Sequence, residues 1–377
     1  MRRSRILFIL HLPPPVHGAS ISNRNLINSG IIRDNYEMDL INFQFASSMA
    51  NLKKFTFLKV FKSFVYALKI IRKISTHRPD LVYYTLSPSG YAFYRDAIYV
   101  SIIKLFHVRI VFHLHGKGVK KSTEKSGLKK YIYQQVFKNC HVICLTNNLV
   151  KDIEDVSSAV PYIVPYGIPI HTNSGNKKLH TKDSTAQILF LSNYVENKGI
   201  LVLIDALSLL KEKGFTFHAR LVGAPTDLSM LDVVHYIKTK DLENHIEVVG
   251  PKFNDEKHIE YENSDIFVFP TFYFNEAQPL VNLEAMQHSL PIVTTTEGGI
   301  PETVINNETG FIIEPRNVLQ LAEKLALLIE DRSLRIDMGE KGYERFINNY
   351  TLDHFITNID KTFRQILVSS HVTIPSH

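Results

Sequence analysis

Residues 275–286 read NEAQPLVNLEAM and set two carboxylates, Glu276 and Glu284, eight positions apart around a proline and a mostly apolar run. Pro279 suits the first turn of a helix, where its missing N–H costs nothing. A helix starting there leaves Glu276 in the preceding loop and carries Glu284 inside. Leu280, Val281, Leu283, Ala285 and Met286 ring most of its circumference, and a helix apolar on nearly all sides is buried. At about 100° per residue Glu284 points between Leu280 and Val281. A carboxylate there needs hydrogen-bond donors around it. The helix N-terminus offers free amides and a positive dipole end, which suit a phosphate. Carboxylates suit hydroxyls. A ligand with a diphosphate at its middle and hydroxylated rings at both ends satisfies all three, and a nucleoside diphosphate sugar has that shape. Two glutamates at this spacing could equally complement the dipole and form a local ion pair, so the surrounding sequence has to decide.

The elements around this segment alternate. Strand-like runs at 5–12, 79–87, 108–116 and 140–146 are separated by helical stretches, with a helix over 18–31. After a polar, turn-rich stretch the alternation resumes with strands at 187–193, 217–223, 245–250, 265–271 and 291–296 and an amphipathic helix over 317–331. This βαβ pattern predicts an α/β protein of two doubly wound, Rossmann-like domains facing across a cleft. The expected division is an N-terminal domain over 1–170, a linker over 171–186, a C-terminal domain over 187–345 and helices over 346–377; the resemblance described below implies that the first domain binds acceptor, that the second binds nucleotide sugar and that the last helices cross back to the first domain. Ligands of such sheets bind beyond the carboxyl ends of the strands, so the cleft is the expected active site.

The net charge of +6 hides an asymmetry: residues 1–170 carry 24 Lys and Arg against 9 Asp and Glu, and the remainder 19 against 28. Two halves of opposite sign imply different partners. The basic half contains 51–73, NLKKFTFLKVFKSFVYALKIIRK, which reads as a basic amphipathic helix suited to an anionic membrane surface. It also contains the lysine-rich 117–130. No recognition motif supports nucleic acid. Cys140 and Cys144 read as buried thiols, since no further Cys or His stands at ligand spacing beside them. The N-terminal apolar run meets three prolines and reads as a first strand rather than a signal peptide, and no uncharged run reaches the ~20 residues of a spanning helix.

The residues also carry a resemblance. Pro270-Thr271, Glu276, Glu284-Ala285-Met286, Pro291, Gly298-Gly299 and Gly310-Phe311, in that order, resemble the C-terminal half of glycosyltransferase family 4, retaining enzymes of GT-B fold with an E-x7-E motif. Upstream, LSNYVENKGILVLIDAL with Lys198-Gly199, YIVPYGI and FHLHG resemble further family segments. Three departures stand out. Ser192-Asn193 replaces the usual Gly-Arg. VHGAS leaves Gly18 as the only glycine of the first loop. Ala277-Gln278-Pro279 replaces Phe-Gly-Leu.

The resemblance implies a retaining hexosyltransferase that moves a sugar from a nucleoside diphosphate sugar to a hydroxyl of a lipid-linked saccharide, as in bacterial O-antigen or capsule assembly. By analogy Glu284 accepts from the ribose and Glu276 from the donor sugar. Lys198 neutralises the departing diphosphate. Gly18, Asn193 and the segment Ala277, Gln278, Pro279, Leu280 complete the donor site. His115 is the third catalytic candidate, with His113 on the same strand face; Ser20 and Asn23 are weaker candidates. The sequence contains no Asp-x-Asp pair of the kind metal-dependent transferases use, so neither metal nor cofactor is expected. The enzyme would be cytoplasmic, bound peripherally to the inner face of the membrane. Alternatives are a catalytically silent nucleotide-sugar-binding protein and a nucleotide-sugar epimerase. A nicotinamide oxidoreductase would need G-x-G-x-x-G after the first strand, where PPPVHGASIS lacks it.

Overall fold

The computed structural model describes residues 2–45, 57–171 and 185–368. Most of the expected linker (172–184) and the start of the basic segment (51–56) lie outside the described residues, as do 369–377. The chain forms two compact units, one made of residues 1–167 and 352–377, the other of 168–351.

The first unit holds six parallel strands: β1 (Ser4–Leu10), β2 (Tyr36–Asn42), β3 (Leu81–Thr85), β4 (Arg109–His113), β5 (His141–Cys144) and β6 (Tyr162–Ile163), in the order β2-β1-β3-β4-β5-β6. Residues of the central strands alternate between two cores. Leu7, Ile9, Val82, Tyr84 and Phe112 face one side with Tyr66, Ile70 and Ile74 of helix Phe57–His77. Ile6, Phe8, Tyr83 and Val111 face the other, where helix Leu352–Val368 supplies Phe355, Ile356, Ile359 and Phe363. Asp360 of that helix accepts from the Tyr36 hydroxyl at 2.8 Å and from Asn35 at 3.1 Å. The helix expected over 18–31 is two helices, Gly18–Asn28 and Gly30–Asn35, because Ser29 adopts extended backbone and breaks it.

The second unit repeats the design with β7 (Ala186–Leu191), β8 (Phe217–Val222), β9 (Ile246–Gly250), β10 (Ile266–Phe269), β11 (Ile292–Thr295) and β12 (Gly310–Ile313), in the order β12-β11-β10-β7-β8-β9. Its strands are near-continuous apolar runs, as parallel strands covered on both faces require. Helix Ile200–Glu212 packs against helix Val318–Glu330 through buried leucines. These are two Rossmann-like sheets, as the alternation implied. The units divide at Gly167/Ile168 and Thr351/Leu352, where the sequence reading set 170 and 345. Helix Arg332–Asn349 runs straight through the latter position. No helix among the described residues is long and apolar enough to cross a membrane.

Candidate functional site

In the second unit the strand order reverses beside β7, which pairs with β8 on one side and β10 on the other. Such a switch point opens a crevice at the carboxyl ends of the two strands. The loops leaving those ends carry Lys198 and Glu276. Lys198 closes a short 3-10 turn, Glu196–Lys198, and its Nζ donates to Glu276 Oε2 at 2.5 Å. The ammonium also lies 4.6 Å from the Tyr273 ring centroid and 5.4 Å from that of Phe269. Thr271 Oγ1 donates to Glu276 Oε2 at 3.3 Å, and the Glu276 amide donates to Tyr273 O at 2.8 Å. Two glycines allow the close packing. A Cβ on Gly199 (φ +85°) would lie 2.2 Å from Pro270 O, and one on Gly298 (φ +56°) would lie 2.3 Å from Glu276 O.

Pro279 is the cap residue before helix Leu280–Gln287 rather than its first helical residue. Glu284 is buried in that helix and accepts from two side chains. Lys257 Nζ reaches Oε1 at 2.5 Å, and the Tyr261 hydroxyl reaches Oε2 at 2.9 Å. Burial first, then the Glu284 carboxylate, holds the Tyr261 phenol well above its ordinary pKa, so it remains a donor. Each carboxylate oxygen keeps a second lone pair, so Glu284 can accept further hydrogen bonds. Ala277 and Gln278 are buried. The Ala277 carbonyl accepts from Gly299 N at 2.6 Å, and Gln278 Nε2 donates to Thr303 at 3.3 Å. Leu280 is half-buried at the helix start. Asn193 is exposed in the turn after β7. Lys198, Glu276 and the segment through Glu284 thus gather around one sheet end, Asn193 at its rim.

In the first unit β1 is the switch strand, lying between β2 and β3. Gly18 begins helix Gly18–Asn28, capped by His17 in a reciprocal pair of hydrogen bonds with Ser20. Ser20 and Asn23 are buried in local structure, Asn23 donating to His11 O at 3.0 Å. His113 Nδ1 lies 2.6 Å from the Tyr83 hydroxyl and His115 Nδ1 2.6 Å from that of Tyr166, with the two imidazole centroids 4.0 Å apart. Neither Nε2 has a hydrogen-bond partner among the described residues. Burial pushes His113 down to about 3 and is the first cause holding His115 well below its ordinary value, so both are neutral imidazoles. His17 is pushed down to about 4, mainly by burial.

Sequence reasoning missed Lys257 and Tyr261, the donors to Glu284; Thr271 entered only as the residue after Pro270, without its bond to Glu276, and Tyr273 was given no role of its own. Sequence reasoning also missed a cluster of three histidines, His171, His258 and His288, whose ring nitrogens lie within 4.8 Å of one another. Their spacing of 87 and 30 residues leaves no local motif.

Residues 173–345 match the sequence profile of the family described as Glycosyl transferases group 1. The chain is 30% identical over 181 residues to the capsular polysaccharide biosynthesis glycosyltransferase CapM of Staphylococcus aureus, covering 48% of this chain and 46% of that protein. The chain therefore spans about half of CapM's length. It is 25% identical over 337 residues to an uncharacterized glycosyltransferase, MJ1178, of Methanocaldococcus jannaschii, covering 88% of both. Among solved structures it resembles Anabaena Alr3699/HepE, crystallised with UDP, at a TM-score of 0.73 and 19% identity, over 96% of this chain and all of that one. The fold is GT-B.

Proposed function

We propose that the chain is a retaining glycosyltransferase. It transfers a hexose-type sugar from a nucleoside diphosphate sugar to a hydroxyl of a lipid-linked saccharide during surface-polysaccharide assembly. The observation that carries this reading is the Lys198–Glu276 pair at the carboxyl ends of β7 and β10. The matched profile over 173–345, the capsular relative and the UDP complex of the structural relative support it.

On this reading the ion pair opens when donor binds. Lys198 moves from Glu276 to the diphosphate, and the freed Glu276 accepts from sugar hydroxyls. The amides at the start of helix Leu280–Gln287 face phosphate, and Glu284, held by Lys257 and Tyr261, accepts from ribose. The C1–O bond breaks with both electrons leaving on the diphosphate, whose growing charge Lys198 stabilises. The acceptor oxygen bonds C1 on the same face and gives its proton to the leaving phosphate oxygen. Neither divalent metal nor cofactor is needed for these steps.

The acceptor side rests on helix Phe57–His77. Its solvent side shows Phe61, Phe64 and Leu68, exposed by 64%, 63% and 51%, alongside Lys62, Lys69 and Arg72. Aromatic and aliphatic side chains entering the interface with lysines among the headgroups would hold the enzyme on an anionic inner leaflet. Flotation with anionic vesicles tests this; no binding, or binding unchanged in Phe61→Ser/Phe64→Ser, overturns it.

A thermal-shift screen of UDP-, GDP- and ADP-sugars selects the donor. Product analysis by mass spectrometry with that donor then tests transfer and anomeric outcome. The second reading, a silent nucleotide-sugar binder, is favoured by Asn193 standing exposed where a cation would share the diphosphate charge. It wins if wild-type protein binds donor yet neither hydrolyses nor transfers it, and if Glu276→Ala changes binding alone.

A further inference from the structure

We propose that His171, His258 and His288 form a binding site for a zinc-class divalent transition metal, built into the second unit. His258 lies on helix Asp255–Glu262, His288 caps the C-terminus of helix Leu280–Gln287, and His171 follows the first bridge of the unit. His258 Nδ1 and His288 Nε2 are 2.9 Å apart. The His171 and His258 rings stack with centroids 4.0 Å apart and planes 18° from parallel. In a tetrahedral site with Zn–N near 2.0–2.1 Å, ligand nitrogens sit about 3.3 Å apart. The cluster brackets that separation, with one pair at 2.9 Å and all three within 4.8 Å.

The surroundings fix the three rings in place. The His171 amide donates to Gln287 Oε1 at 3.0 Å, tying its backbone beside His288. The His288 ring lies parallel to that of Tyr261, 5.4 Å away at 2°. Glu262 Oε1 is 3.9 Å from His171 Nδ1, placed as the fourth ligand or as the outer carboxylate that orients a ligating imidazole. An all-imidazole set favours zinc, copper, nickel or cobalt over magnesium or calcium. His258 Nδ1 and His288 Nε2 share one N–H across their contact. Metal entry moves the N–H shared between them to the outer ring nitrogen, with no net proton lost. The site is distinct from the diphosphate position and does not depend on the transferase reading. It would stiffen the helix that carries Lys257 and Tyr261, the donors to Glu284.

Untagged full-length protein, stripped with chelator and dialysed against zinc, should retain one zinc per chain by elemental analysis. X-ray absorption of that wild-type sample should show at least three imidazole nitrogens on the metal, a readout that needs no variant. His171→Ala, His258→Gln and His288→Gln should each weaken zinc binding by roughly 100-fold or more. Sub-stoichiometric zinc, absence of imidazole scattering, or affinity unchanged in the folded variants would each overturn the site and leave a stacked, hydrogen-bonded histidine trio.

Discussion

Lys198 Nζ and Glu276 Oε2 meet at 2.5 Å across 78 residues of sequence, with only 18% and 10% of their side chains exposed. Removing one member leaves the other charge buried without its partner, which costs about 3 kcal/mol or more. Lys198→Met and Glu276→Gln should each lower the denaturant midpoint. The double variant Lys198→Met/Glu276→Leu should lose less than the sum of the singles. On the proposed reading both singles also lower turnover, Lys198→Met by on the order of 10²–10³. Strict additivity in the denaturation cycle would show that the pair is not coupled.

Tyr261→Phe removes the hydroxyl that donates to Glu284 Oε2 at 2.9 Å. A hydrogen bond to a charged acceptor contributes about 1.5–3 kcal/mol. The expected outcome is a stability loss of that size, together with weaker nucleotide binding by calorimetry and near-normal turnover at saturating donor. Loss of turnover with unchanged nucleotide affinity would remove Glu284 from the ribose position.

Gly298→Ala should damage the site without touching a charged group. The residue has φ +56°, a region that costs an L-residue roughly 1–2 kcal/mol, and its new Cβ would press on Glu276 O. The backbone carrying Glu276 must shift, and misplacement by about 1 Å can cost 10²-fold in rate. Stability and turnover measured together should both fall. Full activity would mean that the exact position of Glu276 is unimportant.

His113 makes the first unit acid-labile. Its folded pKa is pushed down to about 3 by burial, against an ordinary value of about 6.5. The unfolded chain therefore binds a proton that the folded chain refuses. The contribution is fully present above pH 6.5 and is lost as pH falls toward 3, on the order of 1 kcal/mol per pH unit. Urea midpoints between pH 7 and 5 should fall for the wild type and fall less steeply for His113→Gln. Parallel curves would contradict the assignment.

The doubly wound architecture was legible because parallel strands buried on both faces write themselves as apolar runs, as in residues 188–191 and 266–269. The short β6, Tyr162–Ile163, is two half-buried residues among prolines and carries no such signature. Motif order singled out Glu276, Glu284 and Lys198 as candidates, and the burial of Glu284 followed from its apolar helix neighbours. The partners of Glu284 were not, because Lys257 and Tyr261 lie 27 and 23 residues upstream on a helix whose sequence, DEKHIEYE, reads as ordinary charged surface. The break at Ser29 was hidden as well, since GASISNRNLINSGI keeps a helical composition on both sides of it.

The first unit is written in two instalments, residues 1–167 and 352–377, while the second is continuous. A growing chain on the ribosome can therefore finish the second unit while the first still lacks the helix that covers Phe8, Tyr36 and Tyr83. The N-terminal portion must wait, partly folded and greasy on one side, until helix Leu352–Val368 has been made. A nascent chain stalled before Leu352 would thus carry one finished body and one bare sheet face, a natural target for holding chaperones.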